Sequence, residues 1–176
     1  MGNRSAKGPA PAPVLPDVLR RGLKIVFCGT AAGPTSARLG QYYARPGNRF
    51  WPTLHRVGLT PERIAPADYA RVLDFGIGLT DVVKFGSGVD SDLDPEHLGE
   101  RARTALHRRI AAVAPRFLAF TSKRAALAGL GNIDGYGLQA GTLGTTRLWV
   151  LPSPSGAATR WWDERPWRAL ALAAAS

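Results

Sequence analysis

Two turns of small residues, Gly29-Thr30-Ala31-Ala32-Gly33 and Pro152-Ser153-Pro154-Ser155-Gly156, are where the backbone of this chain is best able to do chemistry. Small side chains let main-chain N–H groups approach a ligand, and oriented amides bind an anion without any charged residue. The first turn fits neither the dinucleotide pattern G-x-G-x-x-G nor a P-loop, which needs GK[ST]. Alone it reads as an ordinary tight turn after a strand; paired with the second it reads as one wall of a ligand crevice. Between them, Gln41-Tyr42-Tyr43-Ala44-Arg45-Pro46-Gly47-Asn48-Arg49-Phe50-Trp51 is dense in aromatics, amides and arginines. Rings stack on planar ligands, and a carboxamide positions water or hydrogen-bonds a ligand edge, although it is too weakly basic to abstract a proton. Asp81 is the one carboxylate near an expected strand end and is a reserve candidate for activating water. His55, His97 and His107 fall on expected helices outside these segments and read as surface or core residues.

The elements that must position these groups follow from local pattern. Ile25-Val26-Phe27-Cys28 and Leu148-Trp149-Val150-Leu151 are short apolar runs ending in the two turns, as buried strands do, and Phe117-Leu118-Ala119-Phe120-Thr121 is a third. Ile77 to Val83 is a strand or an irregular segment. Arg49 to Val57 reads as a helix with Phe50, Leu54 and Val57 on one face, capped by Asn48 and stopped by Gly58. Thr60-Pro61-Glu62 looks like the start of a short helix, and Pro66 to Leu73 is another. Phe85 to Asp92 reads as a surface loop. Asp94 with Pro95 then opens the longest helix, reaching Ala114, with Leu98, Ala102, Ala105, Leu106, Ile110 and Val113 as its apolar face. Its Arg101, Arg103, Arg108 and Arg109 read as a solvated face or as a DNA contact. Ser122 caps a helix over Lys123 to Leu130, Gly129 to Gly144 is a loop or hairpin, and Trp162 to Ala175 closes the chain as a helix. In a parallel sheet both turns open on one edge, beside the aromatic segment. Alternating strands and helices therefore predict an α/β fold, a three-layer α-β-α sandwich around a short, mainly parallel central sheet.

Composition sets bounds. At 176 residues the chain is expected to be one domain, residues 14–176, behind a basic Pro/Ala-rich tail, residues 1–13, that cannot bury enough surface to order itself. The net charge of +10 favours a polyanionic partner. A single cysteine excludes an internal disulfide and any cysteine-based metal cluster, and Cys28 reads as a buried, inert thiol. Without a signal peptide or an apolar stretch long enough to span a bilayer, a cytoplasmic protein is expected, with no membrane partner.

Leu23 to Gly29, Asn48-Arg49-Phe50-Trp51 and Leu151 to Gly156 resemble the mismatch-specific uracil-DNA glycosylases, members of the superfamily that also holds the thymine-DNA glycosylases. The resemblance runs from Leu15 to Trp162. The segment from Gln41 to Trp51 also resembles the hypoxanthine-DNA glycosylase branch, where an asparagine at the position of Asn48 is important for activity. The resemblance implies a monofunctional, metal-free and cofactor-free glycosylase, expected as a monomer, that flips a deaminated base out of DNA and hydrolyses its glycosidic bond. Uracil is the base expected first, hypoxanthine or another damaged base the alternative. Gly29, Thr30, Ala31, Ala32, Gly33, Tyr43, Asn48 and Ser153 then line the base pocket, with Tyr43 stacking on the extruded base unless it fills the core, and Tyr42 structural. Ser155, Gly156, Ala157 and Arg160 meet the DNA.

Three positions depart from the pattern. Ala31 stands where the mismatch-specific enzymes have Asn and other branches Asp to hold the hydrolytic water. Ser153 replaces Asn or His, and Ala157 replaces a bulky wedge, so that Arg160 or a neighbouring Trp is expected to assist. Water positioning is accordingly expected from Asn48, Gln41 or Ser153, while Asn48 serving only as a helix cap stays open. So does a decayed enzyme that binds DNA without cleaving it. Lys84 is the outside candidate for a Schiff base. If the charge serves DNA, log K should fall steeply and linearly with log salt in a binding titration, and a flat response would remove charge from the interpretation.

Overall fold

The computed structural model describes residues 12–85 and 99–176. Its centre is a five-stranded sheet ordered β2-β1-β3-β5-β4, with β1 at Ile25–Gly29, β2 at Ile77–Asp81, β3 at Phe117–Phe120, β4 at Gly137–Leu143 and β5 at Thr146–Val150. The first four in spatial order run parallel and β4 closes one edge antiparallel to β5. Parallel strands are covered on both faces, which is why β1, β2 and β3 are buried at every position. The Gly-rich segment expected as loop or hairpin is thus a hairpin, and Ile77 to Asp81 is a strand.

Side chains alternate across the sheet and divide the core in two. Ile25, Phe27, Ile77, Leu79, Phe117, Ala119 and Trp149 meet α2 (Phe50–Arg56) and α5 (Arg165–Ala175). Val26, Cys28, Leu118, Phe120, Leu148 and Val150 meet α3 (Glu100–Val113) and α4 (Lys123–Leu130). The result is the three-layer sandwich. On the first face Phe27 stacks against Trp167 at 5.7 Å and meets the edge of Phe50 at 5.2 Å. On the second, α4 lies so close to the sheet that a Cβ on Gly129 would sit 2.5 Å from the Phe120 ring.

Several expected boundaries move. Pro34–Leu39 forms a short helix, α1, with Pro34 in its first turn and Gly40 in the left-handed conformation at its end. Thr60-Pro61-Glu62 starts no helix; the Thr60 hydroxyl donates to the Glu62 carbonyl and closes a turn instead. Pro66–Phe75 is a 3-10 helix. The expected opening of the long helix at Asp94 and Pro95, the Phe85 to Asp92 loop beyond Phe85, and His97 all fall at least partly outside the described residues; α3 is described from Glu100. The last helix begins at Arg165, and a separate 3-10 segment, Gly156–Trp161, precedes it. No described helix is long and apolar enough to cross a membrane.

The segment ahead of β1 is tied to the sheet. Val18 bridges Leu79 in antiparallel sense and the Val14 amide donates to the Lys84 carbonyl. Asp17 accepts from Lys84 Nζ at 2.8 Å and the Thr80 hydroxyl at 2.7 Å, while Arg109, 3.4 Å from Asp17, donates to the Asp81 carbonyl at 2.7 Å. Arg109 therefore belongs to the interior, and Arg103 donates to the Ala128 carbonyl, which leaves Arg101 and Arg108 as the exposed arginines of α3.

Ser122 caps α4, its hydroxyl accepting the Ala125 amide hydrogen at 2.9 Å. Ser122→Ala should lower stability by about 1 kcal/mol, read as a shifted denaturant midpoint at unchanged slope.

Candidate active site

Because β2, β1, β3 and β5 are parallel, Asp81, Gly29, Thr121 and Pro152 all emerge on one edge of the sheet. The chain leaves β1 toward β2 on one side and later returns to place β3 on the other. The carboxyl ends of β1 and β3 are therefore a topological switch point, the place where open α/β sheets leave a crevice. Two strand spacings, about 10 Å, separate the Gly29 turn from the Pro152 turn.

The first turn is held by Val82 and Val83, whose amides donate to the Gly29 and Thr30 carbonyls at 2.9 and 2.8 Å. Thr30 and Ala32 point into the protein, whereas Ala31 and Gly33 are half-buried. Gly29 is the tightest point. A Cβ there would lie 2.5 Å from Asp81 Oδ1 and 3.4 Å from the Tyr43 hydroxyl oxygen. The Asp81 carboxylate and the Tyr43 hydroxyl thus converge over the α-carbon of Gly29, on the same face of the sheet. Asp81, only 5% exposed, is the functional candidate that sequence reasoning ranked last. Its signal was its place at a strand end; what sequence could not show was that the register sets it opposite Gly29.

Tyr43 is half-buried and takes a left-handed backbone, φ 52°, which for a tyrosine costs of order 1–3 kcal/mol. Two contacts hold it: its ring stacks on Phe50 at 3.8 Å, and its hydroxyl shares a hydrogen bond with Thr121 Oγ1 at 3.2 Å. The ring therefore has one face committed to the core. Burial, and then the Asp81 charge, push the Tyr43 hydroxyl well above its ordinary pKa, so it stays protonated. Tyr42 is fully buried and structural; its hydroxyl donates to the Pro16 carbonyl and accepts from Lys84. Burial likewise raises the Cys28 thiol, which is inert at neutral pH.

The Asn48 segment meets the second turn. The helix starts one residue later than expected, with Arg49 rather than Asn48 as its N-cap. Asn48, one residue ahead, accepts the Phe50 amide hydrogen on Oδ1 at 2.9 Å, and this leaves its NH2 as the group able to address a ligand. The Arg49 amide donates to the Pro154 carbonyl at 2.8 Å, and the Gly47 carbonyl lies 3.2 Å from where a Cβ on Gly156 would be. Serines shape the turn itself, Ser153 Oγ accepting from the Ser155 amide and Ser155 Oγ from the Ala157 amide. Gly156, Ala157 and Arg160 are exposed, and Gln41 is half-buried at the end of α1, its amide donating to the Ser36 carbonyl.

Lys84, the outside candidate for a Schiff base, is 7% exposed and its ammonium is engaged by Asp17 and the Tyr42 hydroxyl. His55 is exposed and His107 sits 2.7 Å from the Gly129 carbonyl, away from this edge. A hollow of about 760 Å³ lies between Val82–Phe85 and α3 and is not this crevice. Among the described residues no group of three or more His, Cys, Asp and Glu is placed to hold a metal ion.

The family model of the uracil DNA glycosylase superfamily matches residues 16–174. The chain is also similar to the solution NMR structure of a candidate uracil DNA glycosylase from Methanosarcina acetivorans, with 27% identity and a TM-score of 0.63, over 92% of this chain and 97% of that one.

Gly29→Ala should drive the Asp81 carboxylate off its position, because the intruding atoms are a backbone-fixed methyl and a buried oxygen. A loss of about 1–3 kcal/mol in thermal or chemical melts is expected, and Gly29→Ala with Asp81→Gly should recover most of it. Additive losses in the double variant would show that the two residues do not share that space.

Proposed function

The chain belongs to the uracil DNA glycosylase superfamily, and from that premise we propose that it excises uracil from DNA, with Asp81 preparing the water that related enzymes prepare from the first turn. A DNA glycosylase hydrolyses the N-glycosidic bond. The observation that carries the reading of this site is the Asp81 carboxylate lying over Gly29 at the switch point, in a chain whose Ala31 has no polar group.

In this reading the extruded uracil enters between the Gly29–Gly33 turn and the Asn48 and Ser153 side chains. Tyr43 offers the ring surface that replaces lost base stacking. The bond from C1′ of the deoxyribose to N1 breaks and its electron pair leaves on the base, where backbone amides of the first turn stabilise the charge. Water attacks C1′ and gives its proton to Asp81. The products are free uracil, once its anion takes up a proton, and an abasic site. Asn48 uses its NH2 on the base edge, Ser153 and Gln41 complete the polar lining, and Ser155, Gly156, Ala157 and Arg160 run along the DNA. This assignment moves water activation from Asn48, whose oxygen is engaged by the Phe50 amide, to the nearest carboxylate.

A second substrate, hypoxanthine, is favoured by the resemblance of Gln41 to Asn48 to the branch acting on that base. Release from uracil- and inosine-containing oligonucleotides, followed in parallel, separates the two.

Asp81→Asn should lower the single-turnover rate on a uracil duplex by roughly 10²–10⁴-fold, with affinity for the intact substrate retained. Asn48→Ala, Gln41→Ala and Ser153→Ala should each do less, and Asn48→Ala should also lose about 1 kcal/mol of stability with its hydrogen bond to the Phe50 amide. A wild-type rate in Asp81→Asn would move the base elsewhere. Release of hypoxanthine alone would overturn the uracil reading.

A further inference from the structure

Trp161 is 74% exposed, in a protein whose other described tryptophans pack against it: Trp51 and Trp167 are buried, Trp149 nearly so, and Trp162 partly. A single exposed apolar side chain is ordinary by itself. What sets this one apart is the rigidity and place of the segment that presents it.

The 3-10 segment Gly156–Trp161 follows directly from the second turn. Arg49 braces it from below, donating to the Ser155 carbonyl at 3.1 Å and to Thr159 Oγ1 at 3.0 Å. The Thr159 hydroxyl in turn donates to the Gly156 carbonyl at 2.7 Å. The next residue, Trp162, is pinned between the Arg49 guanidinium, 5.4 Å from its ring centre, and Trp167 at 5.9 Å. Trp167 is itself anchored to the Pro152 carbonyl at 3.2 Å. Thr159 and Trp162, which flank the Arg160–Trp161 pair, are thus fixed to the crevice edge, while the Trp161 indole is exposed beside the exposed Arg160. Holding a large ring in water on a braced segment pre-organises it for a flat apolar partner, and stacked bases are such a partner.

We propose that Trp161 is the side chain that enters the DNA stack at the lesion and fills the gap an extruded nucleotide leaves. The inference rests on the glycosylase reading but not on which base is removed. Extruding a base leaves a hole, and proteins that distort DNA commonly fill such gaps with an apolar side chain. Ala157, at the front of the same turn, is a methyl and leaves most of that hole empty. Arg160 supplies the adjoining cation for the phosphate backbone, and with a chain charge of +10 the surface suits DNA better than a protein partner.

The test uses the full chain and a duplex carrying one tetrahydrofuran abasic analogue, which offers the gap without any base to flip or cleave. Trp161→Ala should bind this duplex roughly 5- to 150-fold more weakly, the range for one lost base–aromatic stack, and Trp161→Phe should retain most of the affinity. Binding to the same duplex without the lesion and to single strands should be unchanged in Trp161→Ala. Tryptophan fluorescence of the wild type should fall on the lesion duplex, and the fall should be missing in Trp161→Phe. Because Trp161 is exposed, a melt should show both variants folded. Equal affinity of Trp161→Ala and wild type for the lesion duplex overturns the proposal, and so does an equal loss on lesion, intact and single-stranded DNA, which marks general contact. If lesion-specific loss is seen while the wild type releases no uracil, the wedge stands and the uracil assignment alone fails.

Discussion

The register between β1 and β2 is the constraint on which the site depends. It sets Gly29 directly opposite Asp81 at the carboxyl end of two buried parallel strands. A side chain at residue 29 would occupy the space the carboxylate needs, so the glycine creates room for a charged neighbour as well as making a turn. Burying a carboxylate is costly unless its surroundings answer it. Part of the answer is structural: the Asp17, Lys84 and Arg109 network fixes the end of β2, with Arg109 gripping the Asp81 carbonyl. The described part of the segment before β1, residues 12–24, therefore supports the end of β2 on which the candidate site depends.

A second chain of contacts carries order from the core to the opposite wall. Trp167 stacks on Phe27, Phe27 meets Phe50, and Phe50 stacks on Tyr43, whose hydroxyl reaches Thr121 at the end of β3. Each aromatic pair is worth only about 0.5–1.5 kcal/mol beyond its burial. Together they offset the left-handed backbone at Tyr43. They also commit one face of the ring to the core, which is the structural half of its double reading. Asn48 behaves similarly, since the oxygen that accepts the Phe50 amide hydrogen orients the NH2 that remains.

How much of this was legible in the sequence depended on whether the signal was local. β1, β3 and β5 could be read because apolar runs end in abrupt turns, whereas Gly78 and Thr80 interrupt the run in β2 and left it ambiguous. Gly78 is there because a Cβ would meet the Val18 carbonyl at 2.7 Å, a contact from a distant segment. α1 was bracketed by Pro34 and Gly40, yet six residues give too little apolar periodicity to separate a helix from a turn. Thr60-Pro61-Glu62 has the residues of a helix start, and the Thr60 hydroxyl spends them on a turn. The two turns and the aromatic segment were found because their composition is unusual. Asp81 is only a reserve candidate from sequence, because a carboxylate at a strand end gains weight only once register names its neighbour.

The distribution of charge argues for a division of labour. Lys84 and Arg109 are committed to Asp17, Arg56 and Arg168 to Glu164, Arg165 to Asp163, and Arg49 to the second turn. Arg49 is the instructive case. A guanidinium beside the crevice invites assignment to phosphate, but its donors meet Ser155 and Thr159 and its plane lies near Trp162. Its work is to hold the segment that presents Arg160 and Trp161. The remaining surface cations act over a Debye length, about 8–10 Å at ordinary salt, and in the proposed function would draw DNA without choosing a site on it. In the proposed reading, selection of the lesion comes from groups of short reach: the Gly29 turn, the Asp81 carboxylate, the Tyr43 ring and the Asn48 amide. A site built mostly from backbone and uncharged groups suits a reaction whose developing charge lies on a neutral base rather than on a phosphate, because amides already oriented toward that charge need no reorganisation when it forms.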